Sequence, residues 1–61
     1  MTQMTDYEAR LILGIEEIEN PNHQIISSAF LKLISNNHPD RQGSEFLSAK
    51  IIEARNKLIH K

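Results

Sequence analysis

Pro39 sits between two stretches whose apolar residues repeat with a helical period, and this limits the fold more than any other feature of the chain. On its N-terminal side Ile26, Phe30 and Leu33 fall at i, i+4 and i+7 with Ala29 beside them, one buried stripe of a second helix. On its C-terminal side Leu47, Ile51, Ala54 and Leu58 fall at i, i+4, i+7 and i+11, widened by Phe46. A proline has no amide hydrogen and pushes the residue before it, His38, out of the helical region. The second helix therefore ends by about Asn37, at Asn36-Asn37, residues suited to a helix end. Ser44 is a good N-cap for a third helix over 45–59. Two helices joined by the loop 38–43 bury these stripes together only by lying antiparallel.

A shorter helix precedes this hairpin. Thr5 and Glu8 have the spacing of a capping box, and Gly14 stands where a left-handed C-cap belongs, so the first helix spans 6–13. Tyr7, Leu11 and either Ile12 or Ala9 are expected to face inward. Asn20-Pro21-Asn22 marks a turn, and either asparagine is suited to cap a second helix over 22–37. The expected fold is all-α: residues 1–61 form one domain in which a short first helix lies as a lid on an antiparallel helical hairpin, with three helices and no fourth.

At 61 residues, with no cysteine, the chain has neither a large core nor disulfides to hold it. Its net charge of -1 argues against general binding of nucleic acid or membrane, so neither is an expected partner. The charge is uneven. Asp6, Glu8, Glu16, Glu17 and Glu19 crowd the first segment against Arg10, while Lys50, Arg55, Lys57 and Lys61 outnumber Glu45 and Glu53 in the last. Matching of helix dipoles and attraction between the two ends account for this without a functional basic patch. No apolar run reaches the roughly 20 residues that span a bilayer, and no signal peptide is evident. The chain reads as soluble, either by itself or as the soluble end of a longer, anchored protein.

His38-Pro39-Asp40 is the candidate functional motif. Proline fixes the backbone, so an imidazole and a carboxylate point in set directions at low entropic cost on binding, a geometry suited to meeting an arginine on a partner. No third group orients His38 and Asp40, so no catalytic site, enzyme activity or cofactor is expected. Read without its context, the tripeptide is a helix breaker followed by a capping Asp. His23 and His60 lack neighbours at metal-ligand spacing and read as surface residues, so no metal site is expected. Leu31, Ile52 and Ile59 lie off the main stripes. They either complete a core too small to hide everything or form a surface for a partner helix.

The spacing of several such points resembles the J-domain family over nearly the whole chain: Leu13-Gly14-Ile15, Ile26 followed by Ala29-Phe30, Leu33, His38-Pro39-Asp40, and Ile51 with Glu53-Ala54. Glu8-Ala9, Leu11-Ile12-Leu13-Gly14, Asn37-His38-Pro39-Asp40, Gly43-Ser44 and Ala49-Lys50-Ile51 with Glu53-Ala54 are similar to one branch, the J-proteins of the mitochondrial protein-import motor and their bacterial relatives. The resemblance implies a co-chaperone that stimulates ATP hydrolysis by a DnaK-type chaperone, in protein translocation. It implies that Asp40 pairs with a chaperone arginine, that His38 helps dock, that Pro39 holds the loop, and that Lys32 and Arg41 add cationic contacts. It also implies a J-like partner protein and leaves an alternative open, a J-like interaction module without effect on an ATPase. If an anchor precedes the chain, the matrix side of the mitochondrial inner membrane is the expected location; otherwise a bacterial cytoplasm is.

The departures from the family pattern matter too. Ser27, Ser28 and Leu31 stand where basic residues are common in the family, which leaves Lys32 and Arg41 and predicts weak electrostatic steering. Gln42 precedes a single glycine, Gly43, and Ile52 replaces an asparagine of the third helix.

Overall fold

The computed structural model describes residues 3–36 and 45–60, which form α1 (Asp6–Leu13), α2 (His23–Asn36) and α3 (Glu45–Ile59). The expected bounds of the first and third helices hold. The second begins one residue later than 22, because Asn22 is its cap: the Asn22 Oδ1 accepts the Ile25 amide at 2.8 Å. Its expected last residue, Asn37, lies outside the described residues.

Both ends of α1 are closed by local chemistry. Thr5 Oγ1 accepts the Glu8 amide at 3.1 Å and Glu8 Oε1 accepts the Thr5 amide at 2.8 Å, the reciprocal capping box read from the sequence. At the other end Gly14 takes φ 73°, and the amides of Gly14 and Ile15 donate to the carbonyls of Leu11 and Arg10 at 3.1 and 2.9 Å. This is a Schellman motif, and its left-handed residue is one that a Cβ would strain.

Six side chains form the core: Ala9 and Leu13 of α1, Ile26 of α2, and Ile51, Ala54 and Leu58 of α3. Met4, Ile12, Ile15, Ala29, Phe30, Leu33, Ile34 and Ile59 pack around them half-buried. α3 is the shared element, in contact with both other helices, while α1 and α2 barely touch. The short first helix thus packs on the α2–α3 hairpin, as expected, and does so mainly through α3. It has its own seam with α3, where the fully buried Ala9 and Ala54 keep the contact side chains small and let helix axes approach. Lys57 Nζ lies 4.0 Å from Asp6 Oδ1 and ties the basic end of the chain to its acidic beginning.

Four inward expectations are corrected. Tyr7 and Leu11 are 54% and 45% exposed, and it is Ala9 and Leu13 that α1 buries. The eight-residue helix holds two apolar i, i+4 pairs two residues apart, hence on nearly opposite faces; the bulkier pair lost because the close approach to α3 favours the smaller one. Phe46, expected to widen the α3 stripe, is 71% exposed, and Leu47, expected to begin it, is 45% exposed. At about 1.5 Å per residue α1 spans about 12 Å against about 22 Å for α3. It is therefore too short to pair with the whole length of α3.

Two arginines fasten the elements together. Arg10 Nη1 donates to the carbonyls of Glu16 (3.3 Å) and Ile18 (2.9 Å), drawing the α1–α2 connection back onto α1, and its guanidinium lies 5.6 Å from the Tyr7 ring centroid. Its Nε is buried with no partner, a desolvation cost set against these bonds. On the other seam the Arg55 guanidinium stacks 4.4 Å over the Phe30 ring and binds Asn56 Oδ1 through Nε and Nη2 at 3.2 and 3.0 Å. Among the described residues no helix is long and apolar enough to cross a membrane.

Candidate functional site

The motif residues His38, Pro39 and Asp40, with Arg41 beside them, belong to the segment 37–44, which lies outside the described residues. The structure supplies the frame on which that segment is mounted. It leaves α2 at Asn36 and enters α3 at Glu45, and the two helices are held together by Ile26, by the half-buried Ala29, Leu33 and Ile34, and by the Phe30–Arg55 stack.

Lys32 is exposed on α2, where it borders a shallow depression with Gln24, Ile25, Ser28 and Ile15. It is the one Lys or Arg of α2, and α2 has no carboxylate along its length. Ser27 is half-buried and Ser28 exposed, so the face of α2 that could hold a row of cations presents hydroxyls instead. A partner approaching this face meets weak long-range attraction and relies on short-range contacts.

The three apolar residues read as completing the core or as a partner surface divide between those roles. Ile59 is half-buried against the core, whereas Leu31 is 61% and Ile52 40% exposed. Leu31 and Ile59 line a single groove between α2 and α3, together with Phe30, Arg55, His23 and His60. Ile52 stands two turns before Ile59 on the same side of α3 and extends the apolar line.

Sequence reasoning missed three features here. It read His23 and His60 as surface residues, and both are exposed, but it did not bring them together at this groove, which His23 borders from α2 and His60 from just past the end of α3. Among the described residues no three His, Cys, Asp or Glu side chains come together as a metal site would need. It also gave Arg10 and Arg55 no structural part. Only a proposal of which helix faces which could have paired Arg55 with Phe30, because the two are far apart in the chain.

Comparison with known proteins places these features in context. The chain is 46% identical over 59 residues to the mitochondrial import inner membrane translocase subunit TIM14 of Dictyostelium discoideum, covering 97% of the chain and 50% of that protein. It is 41% identical over 58 residues to the mitochondrial DnaJ homolog 2 of Saccharomyces cerevisiae, covering 92% of the chain and 40% of the relative. It is also 37% identical over 57 residues to the translocase subunit tim16 of Dictyostelium discoideum, covering 93% and 50%. The chain thus spans about half the length, or less, of these curated relatives. No family model and no solved structure matches it.

Proposed function

The chain belongs to the J-domain family, and from that premise we propose that it is a co-chaperone which stimulates ATP hydrolysis by a DnaK-type chaperone during protein translocation. The observation that carries the reading is the intact His38-Pro39-Asp40 between α2 and α3, in a chain similar over nearly its whole length to subunits named for mitochondrial import. In this mechanism the protein does no bond chemistry. Asp40 pairs with an arginine of the chaperone's nucleotide-binding domain, His38 docks beside it, and Pro39 limits the entropy lost on docking. Lys32 and Arg41 add two cationic contacts. With so few cations the encounter is slow, and a tether that raises local concentration makes it productive. Single-turnover ATP hydrolysis by the cognate chaperone tests this. The protein should accelerate it, with a larger effect when the two are tethered, and Asp40→Asn should abolish the acceleration. No acceleration by the wild type, tethered or not, refutes the reading.

A second reading has its own support. Leu31 and Ile52 remain exposed, and the chain is similar both to TIM14 and to tim16, two differently named subunits of import translocases. On this reading the domain is an interaction module that pairs with another helical protein through Leu31, Ile52 and Ile59. A tight complex with such a protein that survives Asp40→Asn, seen by sedimentation, combined with no ATPase effect of the wild type, would favour it over the first.

A further inference from the structure

We propose that the α2–α3 groove is a docking site for an acidic amphipathic helix of a partner protein. This deepens the interaction-module reading, on which it rests, by naming the chemistry of the partner.

The groove combines three properties. Phe30, Leu31 and Ile59 give it an apolar strip beside Ser27 and Asn56, and Ile52 stands exposed two turns before Ile59 on the same side of α3. Its charged and titratable margin is one-sided: Arg55, His23 and His60 line it, and none of its described lining residues carries a carboxylate. Arg55 is held in place by stacking on Phe30 and by Asn56, yet those bonds use two of the five N–H donors of a guanidinium. A pre-positioned guanidinium with donors left to offer, beside an apolar strip, is the arrangement that a helix with carboxylates flanking a leucine stripe would complement. The groove encloses about 320 Å³, at the floor of the roughly 300–1,000 Å³ typical of small-molecule sites, so it suits side chains inserted from a partner better than a ligand held on all sides.

The larger depression, between the N-terminal segment and α3, lacks this one-sidedness. It contains Glu53, and its two lysines already have carboxylate partners, Lys50 with Glu53 at 3.4 Å and Lys57 with Asp6 at 4.0 Å. Of these two depressions, the α2–α3 groove is the one where an acidic partner gains more.

The test uses fluorescence anisotropy with a labelled peptide of about 18 residues, long enough to be helical when bound, with leucines at i, i+4, i+7 and i+11 and glutamates flanking them. A matched peptide carries lysines in place of the glutamates. The wild type should bind the glutamate peptide at least tenfold more tightly than the lysine peptide. Leu31→Asp, at an exposed position that the fold does not need, should weaken binding at least tenfold, and Arg55→Lys should reduce the charge selectivity while circular dichroism stays unchanged. Asp40→Asn should bind like the wild type, which separates failure of the groove from failure of ATPase stimulation. No binding, equal binding of the two peptides, indifference to Leu31→Asp, or loss of binding in Asp40→Asn would each overturn the proposal. Sedimentation of the free protein at the same concentration should show a monomer. Self-association abolished by Leu31→Asp would make a second copy the occupant and overturn it as well.

Discussion

The two seams of α3 are built differently. Toward α1 the first helix contributes two buried side chains, Ala9 and Leu13, to the core shared with Ile51, Ala54 and Leu58, with α1 capped at both ends and an ion pair, Lys57 to Asp6, across the rim. Toward α2 only Ile26 is fully buried from the partner helix, the remaining contacts are half-buried, and a cation–π stack does part of the work of an apolar contact. Close packing of small and branched side chains is unforgiving of volume change, whereas half-buried contacts tolerate adjustment. The first seam fixes α1 and α3 as a unit. The second leaves Leu31 and Lys32 of α2 exposed on its far face.

The largest test of this contrast is a pair of truncations. Leu13→Ala should cost about 2–5 kcal/mol and leave the domain mostly unfolded, given how little a chain of this size has to spare. Leu33→Ala, on the half-buried seam, should cost about half as much. Urea unfolding followed by circular dichroism measures both, and equal losses would erase the distinction between the seams. Next in size is Gly14→Ala. A Cβ at that position meets nothing within 4 Å, so the expected loss of about 1 kcal/mol is purely the strain of φ 73°. A much greater loss would show that the end of α1 governs the whole α1–α3 seam. The smallest effect belongs to the rim. Lys57→Ala should cost at most about 0.5–1 kcal/mol, because both partners are close to half-exposed, and the difference from wild type should vanish in about 1 M salt. A loss that persists in salt would mean that Lys57 acts through its hydrocarbon stem.

What could be read from the sequence follows the range of the physics involved. The bounds of α1 and α3 were legible because their signals are local: Thr5 with Glu8, Gly14, and the run from Glu45 to Ile59. Which face of α1 turns inward was not, because Tyr7–Leu11 and Ala9–Leu13 have the same spacing and only the approach of α3 chooses between them. The stripe on α3 was legible in its middle and not at Leu47, since its reach depends on the length of a different helix. At the candidate site the motif and the sparse cations of α2 could be read directly, and so could the exposure of Leu31. The α2–α3 groove could not, because it comes from bringing His23 and Phe30 beside Arg55 and His60, residues that share no sequence neighbourhood.

Arg10 closes a clasp over one half of the joint between α1 and α2. It grips the carbonyls of Glu16 and Ile18, and the Ile18 amide turns back to the Ile15 carbonyl at 3.0 Å, so the stretch from Gly14 to Ile18 has a set length. Glu19 and Asn20 lie exposed beyond the clasp. Extra residues spliced in before Ile18 would slip it open, while the same residues spliced in after Glu19 would leave it shut. A joint that looks like one uniform linker is thus half hinge-pin and half slack, and changes of length over generations should gather in the slack.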